Sequence, residues 1–352
     1  MNKERIIYIC RWTLGGVFSF SGIVKCVDPV GTQVFVEKYL ATYSLDALLP
    51  MALPIAVALS VVEFTLGGLL LEGRANRLVA TLATAFMAVF TIVTLLNATV
   101  LPIGDCGCFG DALRLTPVQT LIKNCLLLPM AVLLFVGAKR GGINYLSLFC
   151  GVAISLGVSL YALRHQPIID FMPYDTSTDL RSGVVEQRAK LEESATNVLI
   201  FRDKSSGEEM EFAATDVDCW SNPEIEYVDS RRVVLDDASL PLAELVVADA
   251  DGDDVTIELL ERQGRVAWIT IYDSKAFERH LSAIQTFIAS HDYDSCVVLT
   301  SLDAVSVLGE LGVECYAVDA MTLRTINRSK VGLMLLDDGI IAAKSDIRDI
   351  FN

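Results

Sequence analysis

The apolar pattern divides the chain near residue 163. Before that point long apolar runs alternate with short polar breaks. Beyond it, short apolar runs of strand length alternate with amphipathic segments. A hydrocarbon core of about 30 Å needs roughly 20 mostly apolar residues per helix. Five segments meet that length, over 6–27, 50–71, 78–103, 117–138 and 143–163. The first run fills a whole span and no small-residue cleavage site closes it, so it reads as a membrane helix and not a removable signal. The third outlasts a bilayer and should leave it before Pro102. Pro54 and Pro129 fall inside predicted helices, where neighbouring helices can satisfy the freed carbonyls.

The second half reads as a linker and lead-in helix over 164–195, a β-rich segment over 196–264 and an α/β domain over 265–352. In the β-rich segment "NVLIF" and "EMEF" flank a polar turn, and "DADGDDVTIELL" offers an Asp-Gly turn. From residue 265 the runs "VAWITIYD", "SCVVLTS" and "VECYAVD" alternate with helical stretches, and "VGLMLLDDGIIAAKS" makes two strands across an Asp-Gly turn. The order β-α-β-α-β-α-β-β-α predicts a sheet with helices on both faces. It resembles the thioredoxin fold, most closely in the last hairpin. The chemistry of that fold does not follow. Where the resemblance implies Cys-x-x-Cys the chain reads "YDSKAFERH", and where it implies a cis-proline the chain has Val331. The domain is therefore expected to bind or dock. Cys296 and Cys315, on predicted internal strands, are expected to pack as small hydrophobes.

Charge sharpens the division. Residues 1–162 hold 11 Lys+Arg and 8 Asp+Glu, net +3, whereas residues 163–352 hold 17 and 36, net −19, which together give −16. The acidic half would repel phosphates, so nucleic acid is not an expected partner. Lys3, Arg5 and Arg11, then Arg74 and Arg77, then Lys139 and Arg140 must share one side of the membrane, and the positive-inside rule makes it the cytoplasm. The loops 28–49 and 104–116 and the C-terminal half then face outward. The chain is thus expected in a bacterial inner membrane with its acidic domain in the periplasm, an oxidising compartment.

The outward loop "GDCGCFGDALRLTP" carries the sequence's one local cysteine pair, Cys106 and Cys108. Three readings stand. As a redox pair, the cysteines are bridged by Gly107, which supplies the backbone angles a closely spaced disulfide demands, and such a strained bond is labile. As a metal site the loop is short of ligands, since His165, His280 and His291 are all distant in sequence. As a plain turn, Gly104, Gly107 and Gly110 suffice. Cys10, Cys26, Cys125 and Cys150 lie in or at the ends of spans, where packing is the expected role, and Cys219 stands alone. Ionisable residues inside spans are candidates for function. Lys25 and Lys123 are placed near the level of the pair, where an ammonium would favour the thiolate, with Asp105 and Asp111 opposing it. Lys25 could equally reach the headgroups and pair with Asp28. Glu63 and Arg11 fall at comparable depth from the inner ends of spans two and one, and are expected to form an ion pair or, alternatively, a proton or quinone site. Gly15, Gly16, Ser19 and Gly22 should let span one approach a neighbour closely.

Three stretches together, "GGVFSFSGIVKCVDP", "EFTLGGLLL" and "DCGCFGDALRLTPVQTLIKN", resemble the DoxX-like superfamily and, within it, the MauE family, over roughly residues 6–140. That resemblance implies a four-helix membrane core, here followed by a fifth span and the appended domain. It also implies thiol redox or electron transfer outside the cytoplasm, as in disulfide formation in methylamine dehydrogenase. The core is similar in plan to DsbB and vitamin K epoxide reductase, which pass electrons from thiols to a quinone. By that resemblance Cys106 and Cys108 would be the redox pair, a quinone the candidate cofactor, and an exported thiol protein the candidate partner. The competing expectation is a non-enzymatic membrane scaffold whose acidic domain binds a partner.

Overall fold

The computed structural model describes residues 3–73, 76–100, 107–139, 141–214, 216, 218–234, 240–290 and 293–350. Within them α1 (Lys3–Val27), α3 (Ala52–Leu71), α4 (Arg77–Thr99), α5 (Pro117–Gly137) and α6 (Tyr145–Arg164) are long and apolar enough to cross a membrane. The chain is a multi-pass membrane protein. Between α1 and α3 lies α2 (Pro29–Thr42), where the sequence suggested only a loop. Its start was signalled locally: the Asp28 carboxylate accepts from the Gly31 N–H and Pro29 occupies the first helical position. Its mixed Gln, Glu, Lys and Thr content is too polar for a span, so apolar runs do not announce this helix.

Caps delimit the other helices. Asn76 accepts from the Val79 N–H at the start of α4, and Asn144 from Leu146 at the start of α6. Thr116 and Gln119 form a reciprocal capping box at α5. The helices pack so that one end of the bundle gathers Asp28, the loop after Gly107 and His165, here termed the loop end. The opposite end gathers Arg11, Gly73, Asn76 and Lys139. Arg74, Pro102, Gly104, Asp105, Cys106, Arg140 and His291 lie outside the described residues.

After α6 comes α7 (Leu180–Ser194), then an antiparallel sheet of β1 (Ala195–Asp203), β2 (Glu209–Ala213) and β3 (Ile225–Val234) in the order β2-β1-β3. Residues 240–262 do not continue the strands. They form turns and the short α8 (Thr256–Leu260), because Thr256 and Asp254 bond locally and bury Leu259 and Leu260. The α/β domain then runs β4 (Arg265–Ile271), α9 (Ser274–Ala289), β5 (Ser295–Thr300), α10 (Ala304–Leu311), β6 (Glu314–Ala317), α11 (Ala320–Ile326), β7 (Val331–Asp337) and β8 (Ile340–Asp346). Its sheet order is β6-β5-β4-β7-β8, with β4, β5 and β6 parallel and the last hairpin antiparallel. A 3-10 turn over Ile347–Asp349 stands where a final helix was expected.

Both faces of this sheet are covered, so β4 is apolar at nearly every position. Val266 and Trp268 pack with Tyr174, Leu180 and Leu245 on one face, while Ala267, Ile269 and Ile271 pack with Phe277 and Ile284 on the other. Cys296 and Cys315 pack against that second face, and burial pushes both thiols up to about 11. At pH 8 the folded protein should therefore leave both unalkylated by a maleimide reagent while a denatured control reacts, which mass spectrometry of tryptic peptides would read.

Candidate functional site

Helices α1 and α3 meet backbone to backbone. A Cβ on Gly22 would lie 2.4 Å from the Phe64 nitrogen, one on Gly67 would lie 2.4 Å from the Ser19 nitrogen, and one on Gly15 would lie 2.8 Å from Leu71. The stripe of small residues expected on span one thus serves close packing at Gly15, Ser19 and Gly22; Gly16 faces away. These three contacts fix the antiparallel register, and position 23 falls opposite position 63.

That register decides the partner of Glu63. Ser21 and Lys25 flank it, while Arg11 lies twelve residues back along α1, about 18 Å at the helical rise. Lys25 Nζ bonds both Glu63 carboxylate oxygens at 2.7 Å and Ser21 Oγ at 2.9 Å. The expected Arg11–Glu63 pair is not formed. Arg11 instead donates to the Gly73 carbonyl at 3.1 Å and lies over the Tyr8 ring at the opposite end. Matching depth from helix ends misled because α1 extends beyond α3 there. Nor does Lys25 pair with Asp28: both Lys25 and Glu63 are buried, at 3% and 2% exposure, and Asp28 is taken by other partners. A buried ammonium and carboxylate inside a membrane bundle hold their charges only together.

Ser21 joins this pair to the cysteine loop. Its Oγ lies 2.5 Å from Glu63 Oε2 and 2.6 Å from the Cys108 carbonyl oxygen. One hydroxyl proton faces two acceptors, so Ser21 is the contact through which the buried acid and the loop sense each other. Cys108 is buried. Gly107 has φ +63°, and a Cβ there would lie 2.5 Å from the Phe35 ring, so glycine is required for both conformation and space. Lys123, on α5, lies over the Phe109 ring at 4.3 Å to its centroid, with Phe20 packed beside it. Lys123 and Cys108 share the lining of a chamber of about 30 Å³, room for one water, whose floor is Ser21, Lys25 and Glu63. The structure thus gathers Cys108, Lys25, Lys123 and Glu63, and leaves Arg11 apart.

On the other side of Gly107 lies an apolar cavity of about 300 Å³. Phe35, Tyr39, Tyr43, Leu59 and Phe90 line it, with Lys25 at its edge. The Tyr43 hydroxyl is buried without a hydrogen-bond partner among the described residues. The helix α2 builds a third of this wall, and a loop over 28–49 would leave the cavity without it. Among the described residues no cluster of three or more His, Cys, Asp or Glu could hold a metal ion.

Fold and site together define a multi-pass helical membrane domain with a cysteine loop at one end and an α/β domain appended on that end. Residues 3–168 match the family model described as Methylamine utilisation protein MauE, and this half of the chain is a MauE family domain. The match runs through α6, so the fifth helix belongs to it and is not an extension. Protein TlpB of Flavobacterium psychrophilum is similar at 27% identity over 177 residues, 46% of this chain and 46% of TlpB. The chain therefore matches just under half of that relative's length. No solved structure matches the chain.

Proposed function

We propose that this protein is a thiol–disulfide oxidoreductase of a bacterial inner membrane, with Cys106 and Cys108 as its redox pair and a membrane quinone as electron acceptor. The observation that carries the reading is the position of Gly107 and Cys108, between a buried Lys25–Glu63–Ser21 network and an apolar, aromatic cavity. In the reaction the two thiols become one disulfide, releasing two electrons and two protons. The acceptor must take both and be soluble in the membrane, and a quinone becoming a quinol does so. The unpartnered Tyr43 hydroxyl is a donor for one of its carbonyl oxygens. Lys123 supplies positive charge beside the loop, which favours the thiolate, whereas the charge of Lys25 is matched by Glu63. Arg5, Arg11, Arg77 and Lys139 belong to the opposite end, which supports a loop end facing the periplasm.

The C-terminal domain, with three parallel strands and an antiparallel hairpin, is read as thioredoxin-like without catalytic cysteines, a docking module for an exported thiol protein. Its ion pairs with the bundle, Arg328 to Asp28 and Asp111 and Arg324 to Glu37, also favour a second reading, a scaffold in which the cysteine loop is only a turn. Proteoliposomes containing the chain with only Cys106 and Cys108 retained decide between them. Added decylubiquinone should convert a reduced pair to the alkylation-resistant disulfide, and decylubiquinol should not. A pair that stays reduced with both sinks the redox reading, and the scaffold reading then stands.

A further inference from the structure

The α/β domain meets the loop end of the bundle at a buried arginine. Arg328, in the turn between α11 and β7, is 3% exposed. Its Nε donates to Asp28 Oδ2 at 3.0 Å, Nη2 lies 2.7 Å from the same oxygen and 3.0 Å from Asp111 Oδ2, and Nη1 donates to the Arg324 carbonyl at 2.7 Å. Asp28 caps α2, and Asp111 follows Cys108 by three residues. One turn earlier, Arg324 reaches Glu37 of α2 at 2.6 Å. The seat has room built for this guest. A Cβ on Gly31 would lie 2.9 Å from Arg328 Nη2. From the domain's side the Tyr272 hydroxyl donates to the Arg328 carbonyl at 2.7 Å and fixes the turn.

The charges make the contact selective. A half-chain of net −19 meets a seat of three carboxylates, Asp28, Glu37 and Asp111, and does so with two of its scarce basic side chains. Without Arg324 and Arg328 the two surfaces repel. The turn that docks also belongs to the edge of the domain where β4 ends and β7 begins, beside the Asp273 cap of α9. The same contact holds Asp111, and with it the chain that leaves Cys108.

We propose that the C-terminal domain is a latch over the cysteine loop. The acidic seat of Asp28, Glu37 and Asp111 is the docking surface for the exported thiol protein, which opens the latch by presenting basic side chains in place of Arg324 and Arg328. This rests on the redox reading of the loop, since a latch matters only where a thiol must be reached.

The test uses the full chain in nanodiscs with only Cys106 and Cys108 retained and reduced, and follows alkylation by a polymer-linked maleimide. Arg328→Gln should speed alkylation about tenfold or more, because accessibility follows the open fraction. A cysteine-free oligo-arginine peptide should speed it in the unaltered latch, in a salt-sensitive way, where oligo-glutamate does not. An unchanged rate in an Arg328→Gln protein that melts like its parent overturns the latch. Should that variant fail to fold, the peptide decides, and equal rates with both peptides overturn the proposal. Quinone-driven oxidation in the same samples separates the two ideas. A loop that opens but never cycles leaves the latch and removes the redox reading; a pair that cycles with unaltered alkylation does the reverse.

Discussion

Replacing Glu63 by alanine is expected to destabilise the membrane domain by about 3–5 kcal/mol, since it leaves the Lys25 ammonium buried and unpaired. Lys25 is 3% exposed and all three of its N–H bonds end on Glu63 and Ser21. With the carboxylate gone, only the Ser21 hydroxyl and the one-water chamber beside it remain to solvate the ammonium. Lys25→Ala should cost a similar amount by stranding the carboxylate instead. The double replacement Lys25→Met with Glu63→Met should recover most of the loss, because an apolar pair of similar volume does not need charge compensation. Thermal unfolding in one detergent would measure all of these proteins. A Lys25→Ala, Glu63→Ala variant whose loss equals the sum of the two single losses would show that the two charges do not act on each other. The recovered double variant also separates roles. Under the proposed redox reading, a double variant that folds but no longer cycles its cysteines with quinone would give the Lys25–Glu63 pair a part in the chemistry; one that cycles like its parent would leave it only holding the bundle.

Span positions were legible because a membrane helix is announced by length and apolarity alone, and four of the five helix starts carry an ordinary cap or a first-turn acid. The alternating cores of β4, β5 and β7 were legible for the same kind of reason: a sheet buried on both faces leaves an apolar run of strand length. The site was legible in its members and not in its pairings. Lys25, Glu63, Lys123 and Cys108 each stood out as an unusual residue for its place. Which of them touch depends on how far α1 slides along α3, and that is set by Gly15, Gly22 and Gly67 acting jointly across two helices. Composition along one helix carries no such information. Arg328 was invisible for a related reason. It lies 300 residues from Asp28, in a turn whose sequence, "NRSK", looks like an exposed loop.

Gly22→Ala and Gly67→Ala are each expected to unfold or severely loosen the membrane domain, with a cost of about 3 kcal/mol or more, at the upper end for overpacking. The added methyl would meet backbone atoms, the Phe64 nitrogen in one case and the Ser19 nitrogen in the other, each at 2.4 Å. No rotamer change relieves a clash with backbone, so α1 and α3 must part. Parting them draws Lys25 away from Glu63 and Ser21 away from the Cys108 carbonyl, so the loop loses its anchor together with the bundle. Gly16 and Gly68 provide the matched control. Each is exposed on the same two helices, and a Cβ there meets nothing within 4 Å. Alanine at either should stabilise by up to about 1 kcal/mol through helix propensity. The same chemical change therefore carries opposite signs on the two faces of each helix. Melting temperatures of the four variants read the difference directly, and equal melting for Gly22→Ala and Gly16→Ala would place the close crossing somewhere else. The loss at Gly22 should also expose Cys108 to alkylation, while the change at Gly16 leaves it covered, because the loop is held by Ser21 and only one of the two substitutions moves that residue.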